Sequence, residues 1–119
     1  MDVAFILSAN EIYTLISKMP EKTETGQRFT DKALPEAEIC DLSELSGKKL
    51  ARIVGDEIEL APVLRMVIDA IARASSAEDN DGVWEIQSPW ISLRCENYPY
   101  LENHWRITPR SSTEGQTEP

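Results

Sequence analysis

The chain contains few of the residues on which catalytic and metal sites usually depend. It has one histidine, two cysteines and five glycines among 119 residues. The two cysteines, Cys40 and Cys95, lie far apart and form no CxxC pair, so the spacing of a zinc site is absent. The glycines match neither GxGxxG nor GxxxxGKS/T, which argues against a phosphate-binding loop. We therefore predict no metal and no cofactor, and we interpret both cysteines as reduced, partly buried thiols.

Long apolar runs and positive charge are also scarce. No run approaches the roughly 20 residues that cross a bilayer. The apolar start is too short for a signal peptide and carries Asp2 where a basic residue is expected. Twelve bases oppose 21 acids, which gives a net charge of -9. Because nucleic acids and anionic membranes need a basic surface, we predict a cytoplasmic protein that binds neither and whose partner is another protein.

The first predicted helix has clear start and stop signals. Ser8 and Glu11 have the spacing of a capping box, in which each side chain accepts the backbone N–H of the other residue. Leu7 and Ile12 fit the hydrophobic staple that accompanies such a box. Apolar residues then recur at helical spacing until Pro20, so the sequence predicts an amphipathic helix with one buried face.

The segments on either side of this helix show little periodicity. Residues 5–7 form either a short strand or an apolar lead-in. Residues 21–36 are mostly polar and contain glycine and proline, so we interpret them as a loop. Phe29 and Leu34 attach that loop to the core. A loop of this length is unusual in a small domain and is typically mobile or functional.

Residues 37–60 allow two interpretations. The leucines that follow Asp41 predict a short helix, then a turn at Gly55 and Asp56, then a strand over residues 57–60. In the alternative, residues 51–60 form a β-hairpin that turns at the same two residues. We favour the helix, turn and strand.

The longest apolar helix is predicted over residues 61–75. Its only charged residues are Arg65, Asp69 and Arg73, which follow one another at intervals of four. A helix with so narrow a polar stripe must be surrounded by the rest of the domain. Pro62 suits its first turn, where a missing N–H costs nothing.

The last third of the chain predicts strands. An acidic loop over residues 78–82 ends the helix, and alternation follows: Leu93 and Cys95 share one face, whereas Arg94 lies on the other. That alternation is typical of a half-buried antiparallel strand. The three predicted strands are residues 83–87, 90–95 and 104–108.

These elements predict an α+β fold in which about three helices pack on a three- to four-stranded, mainly antiparallel sheet that ends in a β-meander. We place a single domain at residues 1–109 and a disordered tail at residues 110–119, because the tail is polar and holds no large apolar residue.

Catalytic chemistry has little support in this sequence. His104 is the only histidine, and we interpret it as a partly exposed residue at a strand edge. An enzyme would have to use carboxylates such as Glu85, Glu96 or Glu102 around it, and nothing in the sequence singles out a pair of acids. The acidic run 78–82 lacks EF-hand spacing. We predict no catalytic residues.

The large aromatic residues are concentrated between residues 83 and 105. Core packing explains most of them, and any that remain exposed would suit a protein interface, where tryptophan and tyrosine dominate the binding energy. The residues we predict to bind a partner are Trp90, Tyr98, Tyr100 and Trp105.

Two stretches also resemble a known family. The likeness is carried by Gly55, Asp56, Pro62, the apolar residues beside them and the alanines at positions 70, 72 and 74. The stretches are LSANEIYTLISKM and LSELSGKKLARIVGDEIELAPVLRMVIDAIARAS. They resemble one half of the EspG-like chaperones of type VII (ESX) secretion and related small firmicute proteins.

The resemblance implies a cytosolic, non-enzymatic adaptor that binds helical secretion substrates. Typical members hold two such halves, so a homodimer would be needed to rebuild the pair. No family site residue can be matched to a position here. The alternatives are an immunity protein that neutralises a basic toxin, a small acid–base enzyme and a winged-helix DNA-binding regulator.

Overall fold

The computed structural model describes residues 4–111, which form a five-stranded antiparallel sheet, a separate two-stranded hairpin and four helices. This confirms the predicted α+β class. The helices are α1 (Ala9–Ser17), α2 (Glu24–Ala33), α3 (Ser43–Gly47) and α4 (Pro62–Ala72). The strands are β1 (Phe5–Ser8), β2 (Ala51–Val54), β3 (Glu57–Leu60), β4 (Ser76–Asn80), β5 (Val83–Gln87), β6 (Ile91–Asn97) and β7 (His104–Ser111). The large sheet has the order β1-β7-β6-β5-β4, and β2 pairs with β3.

The strand registers divide the large sheet into a buried face and an open face. Trp84, Cys95 and Ile107 lie side by side across β5, β6 and β7, and all three are buried. Their neighbours along each strand point the other way. Within the described residues, no side chain on that second face is buried, and Arg94 and Glu96 lie there. Helix α4 packs on the buried face against β5 and β6, so the domain has two layers.

The capping box at the start of α1 forms as predicted. The backbone N–H of Glu11 donates to Ser8 Oγ at 3.1 Å, and the N–H of Ser8 donates to Glu11 Oε1 at 2.9 Å. The staple residues Leu7 and Ile12 are both buried. Residues 5–8 form β1, so the apolar lead-in is a true strand, which pairs with β7.

The prediction of a loop over residues 21–36 is wrong, because residues 24–33 form α2. Thr23 caps the helix by accepting the N–H of Gly26 at 3.0 Å. The buried residues of α2 are Gly26, Phe29 and Thr30, which have helical spacing. Only one of them is a large apolar residue, so hydrophobic periodicity did not reveal the helix.

Residues 51–60 form the hairpin that we ranked second, and the preferred helix is confined to α3. Gly55 has a φ of 66°, which a two-residue turn that begins with glycine requires. Ile53 pairs with Ile58 across the hairpin. Ile53 is nevertheless 57% exposed, because the hairpin lies at the margin of the domain.

The acidic segment after α4 is also a strand and not a loop. Residues 76–80 form the edge strand β4, and only Ala77 in it is buried. The turn into β5 is made by Asp81 and Gly82, whose φ angles of 55° and 84° fit a type I′ hairpin. Exposed polar residues are typical of an edge strand, which explains why the segment resembled a loop.

Helix α4 is less enclosed than predicted. Val63 and Met66 at its start are 50% and 44% exposed. Asp69 Oδ2 lies 3.8 Å from Arg73 Nη1, so the polar stripe forms one ion pair within the helix. Arg65 has no ionic partner among the described residues.

Strand β7 reaches residue 111, two positions beyond the predicted end of the domain at residue 109. The remainder of the predicted tail, residues 112–119, lies outside the described residues, as do residues 1–3.

Candidate functional site

A groove runs along the end of the sheet at which β6 ends and β7 begins. It consists of two clefts of about 590 and 660 Å³, a size typical of ligand pockets. Both clefts are lined by Ala33, Asn97 and Trp105, so they are adjacent. Ala33 is the last residue of α2, whereas Asn97 ends β6 and Trp105 is near the start of β7. The groove therefore exists only because α2 packs beside this end of the sheet.

The first cleft lies between α2 and the β4–β5 hairpin. Arg28 and Lys32 reach it from successive turns of α2, and Trp84 and Asp79 line the opposite side. Arg28 Nη2 donates to the carbonyl oxygen of Ala77 at 3.2 Å, which holds the guanidinium against the edge strand. This cleft therefore brings two cations close to an indole ring.

The second cleft lies between the start of α1, the segment after α2 and the β6–β7 loop. Its charged residues are the acids Glu36, Glu38 and Glu102. The N–H of Glu38 donates to Asn10 Oδ1 at 2.9 Å, which attaches that segment to α1. The ring of His104 is also in the lining, and its Nδ1 lies 2.8 Å from the carbonyl oxygen of Glu102. The second cleft is therefore acidic.

Trp105 forms part of the floor of the groove and does not project from it. It is only 6% exposed, and its ring lies edge-on to Phe29 with ring centroids 6.3 Å apart. Trp84 packs on the same Phe29 ring at 5.1 Å. Most of the surface of Trp105 is therefore used in the core, and its predicted partner contact is limited to the small part that lines the groove.

Tyr98 and Tyr100 lie in the loop that joins β6 to β7, between Asn97 and Glu102, which line the groove; neither tyrosine lines a cleft itself. The backbone N–H of Tyr98 donates to the carbonyl oxygen of His104 at 2.9 Å, which closes the base of this loop. The two tyrosine rings pack edge to face at 5.3 Å. Tyr100 is 80% exposed and Leu101 is 50% exposed. We call residues 98–101 the aromatic rim.

Trp90 lies away from the groove. It precedes β6, whereas the groove begins at the other end of that seven-residue strand, about 20 Å away at the usual rise per residue. Trp90 is half-buried, and the guanidinium of Arg73 stands over its ring at 5.1 Å. The four predicted partner-binding residues are thus divided: one in the floor, two in the rim and one at the far end of the sheet.

The residues of the alternative acid–base site do not all meet. Glu85 and Glu96 lie on the open face of the sheet, where Glu96 Oε2 is 3.2 Å from Arg106 Nη2. Glu102 and His104 line the acidic cleft.

Across residues 4–111, no three histidine, cysteine, aspartate or glutamate side chains are grouped for a metal ion. No helix in that range is long and apolar enough to cross a bilayer.

The two cysteines are free thiols in very different surroundings, and we expect their reactivities to differ. Burial raises the pKa of the Cys95 thiol well above its usual range, and the carboxylates of Glu85 and Glu96 raise it further. Because Cys95 stays protonated and inaccessible, iodoacetamide at about pH 8 should modify half-buried Cys40 and leave Cys95 unmodified in the folded protein. Peptide mass spectrometry reads out both sites, and both should react in concentrated guanidinium chloride. Equal rates of modification in the folded protein would contradict this expectation.

Sequence reasoning missed the cationic half of the groove. Arg28 and Lys32 are four residues apart, which would have placed them on one side of a helix. The loop assignment for residues 21–36 concealed that spacing. Asn97 had no signal in the sequence at all, because its position is defined only by the end of β6 and by the approach of α2.

Comparison with known proteins found no protein-family model, no curated protein and no solved structure that matches this chain. The resemblance to EspG-like chaperones therefore stays a prediction.

Proposed function

We propose that this chain is a non-enzymatic protein-binding domain that holds a segment of a partner protein in the groove, beneath the aromatic rim. The observation that carries the proposal is Tyr100, a large ring that is 80% exposed in the loop between Asn97 and Glu102, two residues that line the groove. A tyrosine in this position gains apolar contact when a partner covers it, and its hydroxyl can still form a hydrogen bond. Tyrosine is among the residues that contribute most to protein interfaces.

The finer form of the proposal is a cytoplasmic chaperone or adaptor for secreted helical substrates. Its support is the resemblance of residues 7–19 and 42–75 to EspG-like chaperones. The same resemblance implies a homodimer. The surface available for that contact includes the exposed apolar residues Val63 and Met66, which lie at the start of α4.

An immunity protein is the second candidate, and one observation favours it. The acids Glu36, Glu38 and Glu102 line one cleft in a chain of net charge -9, which would attract a basic toxin and accelerate its association. The two functions differ in salt dependence: association with a basic toxin should slow steeply as salt is added. A neighbouring toxin gene would indicate immunity, whereas a neighbouring secretion ATPase gene would indicate the chaperone.

Site-specific photo-cross-linking in cells of the source organism tests the proposed surface. We expect p-benzoyl-phenylalanine in place of Tyr100 to form one discrete adduct with another protein, which mass spectrometry then identifies. The same group in place of Ile53, which is 57% exposed but lies on the β2–β3 hairpin, is the matched control. With the identified partner purified, Tyr100→Ala should weaken binding by at least about tenfold, and Ile53→Ala by less than about twofold.

Two results would refute this proposal. The first is the absence of any protein adduct at position 100, and the second is an equal loss of affinity in the two alanine variants. Circular dichroism of both variants provides the folding control. Both side chains are exposed, so neither substitution should alter the fold.

A further inference from the structure

We infer that the groove selects its partner by charge polarity: the partner segment places a carboxylate between Arg28 and Lys32 and a basic side chain among Glu36, Glu38 and Glu102. The inference rests on the proposed function and adds the chemistry of the partner to it.

The cationic end is built by α2. Arg28 and Lys32 are one helical turn apart, and neither lies within 4.0 Å of a carboxylate among the described residues. The nearby Asp31 accepts a hydrogen bond from Gln27 at 3.0 Å. The one acid in this cleft is Asp79, whose Oδ1 accepts the N–H of Gly82 at 3.0 Å. Two cations and one carboxylate give the lining of this cleft an excess of positive charge, while Glu24 and Asp31 share a neighbouring cleft with the same two cations.

The acidic end has the opposite composition. Three glutamates line the second cleft, and neither lysine nor arginine does. Within residues 4–111 these glutamates form no ion pair. His104 is engaged through Nδ1 with the backbone of Glu102 and does not contact a carboxylate among the described residues. A basic side chain entering this cleft would therefore meet unpaired carboxylates.

Uncharged residues separate the two ends. Ala33, Asn97 and Trp105 line both clefts, so the middle of the groove offers an apolar floor and one amide. A segment of uniform charge would be attracted at one end and repelled at the other. A segment that carries an acid, then neutral residues, then a base is attracted at both ends, and the groove thereby discriminates between partners.

Four capped heptapeptides test the inference: ADAYAKA and AKAYADA carry both charges, ADAYADA only acids and AKAYAKA only bases. Each is titrated into the ¹⁵N-labelled full chain and followed by NMR. We expect at least one mixed peptide to perturb amides on both sides of the groove and to bind about tenfold more tightly than either uniform peptide. Both mixed orders are included because the segment can run in either direction.

Charge reversal at each end, with matched controls, separates local from long-range attraction. Lys32→Glu and Glu38→Lys should each weaken binding of the mixed peptide about tenfold. Lys18→Glu and Glu44→Lys change the net charge equally at exposed positions outside the groove and should alter binding less than about twofold. Three results would each overturn the inference. The test and control variants could have equal effects, the uniform peptides could bind as tightly as the mixed ones, or no peptide could perturb amides in the groove. The cross-link at position 100 is an independent measurement, so it distinguishes failure of the charge polarity from failure of the proposed binding function.

Discussion

Gly26→Ala is expected to destabilise the domain by about 3 kcal/mol or more. A Cβ atom at position 26 would lie 2.2 Å from the carbonyl oxygen of Ala72 and 2.7 Å from that of Ile71. Both atoms belong to the backbone of α4, so no side-chain rotation can relieve the overlap. Urea unfolding followed by circular dichroism measures the loss.

The contact at Gly26 cannot open easily, because hydrogen bonds hold the two helices together at the same place. The backbone N–H of Thr23 donates to the carbonyl oxygen of Ala72 at 2.9 Å. The hydroxyl of Thr23 donates to the carbonyl oxygen of Ala74 at 2.8 Å. The start of α2 thus satisfies carbonyl groups at the end of α4, which would otherwise lack partners.

Gly47→Ala is the matched control for this substitution. A Cβ atom at position 47 meets nothing within 4 Å, and Gly47 is the last residue of α3. We expect its effect on the free energy of unfolding to be within about 1 kcal/mol of zero, because alanine is the better helix former but adds no contact. A Gly26→Ala variant as stable as Gly47→Ala would show that α2 does not pack against α4 as described.

Phe29→Ala is expected to cost about 3 to 5 kcal/mol, the usual range for removing a buried phenylalanine ring. Phe29 is 1% exposed and lies edge-on to both Trp84 and Trp105. Its ring packs α2 onto the sheet beneath the groove. Unfolding monitored by tryptophan fluorescence reports both the stability and the altered surroundings of the two indoles.

Phe29→Leu provides an informative comparison, because it retains most of the apolar volume and removes only the aromatic contacts. Its cost should be clearly smaller than that of Phe29→Ala. If Phe29→Ala lowered stability no more than removal of an exposed side chain such as Ile53 does, the ring would not be part of the core.

The sequence predicts an element correctly where a local hydrogen-bond motif or a regular apolar pattern matches the side chains that the fold buries. The capping box at Ser8 and Glu11 is a local hydrogen-bond pattern, and it formed as the spacing indicated. Strand β6 alternates between apolar and polar residues from Ile91 to Glu96, because one of its faces is in the core and the other is open. Both signals are contained in a few consecutive residues.

The errors occurred where burial does not follow hydrophobicity. Helix α2 buries Gly26 and Thr30 besides Phe29. Its close contact with α4 depends on a small residue at position 26 and on the cap at Thr23, and not on a stripe of large apolar residues. Strand β4 buries only Ala77, because edge strands are largely solvated. In the sequence alone, the residues of α2 and of β4 therefore look like those of a loop.

The candidate site follows the same division. Tyr98 and Tyr100 were predicted as partner contacts from residue type and position; their rings contact each other in the loop beside the groove, and their role stays a prediction. Trp105 was predicted as a partner contact by the same reasoning but is buried, because its position in β7 directs it toward Phe29. The charged lining was missed, since it depends on a helix that the sequence concealed.

The sequence by itself determined the fold class, the first helix, the half-buried strands and the acidic character of the chain, because each depends on composition or on local periodicity. Only the tertiary structure decided that α2 exists beside the end of the sheet and that Arg28 and Lys32 face the same groove as Glu36 and Glu38. The physical reason is that the groove is a space between elements far apart in the chain. The packing of helix against sheet decides which charged side chains line each of its two ends.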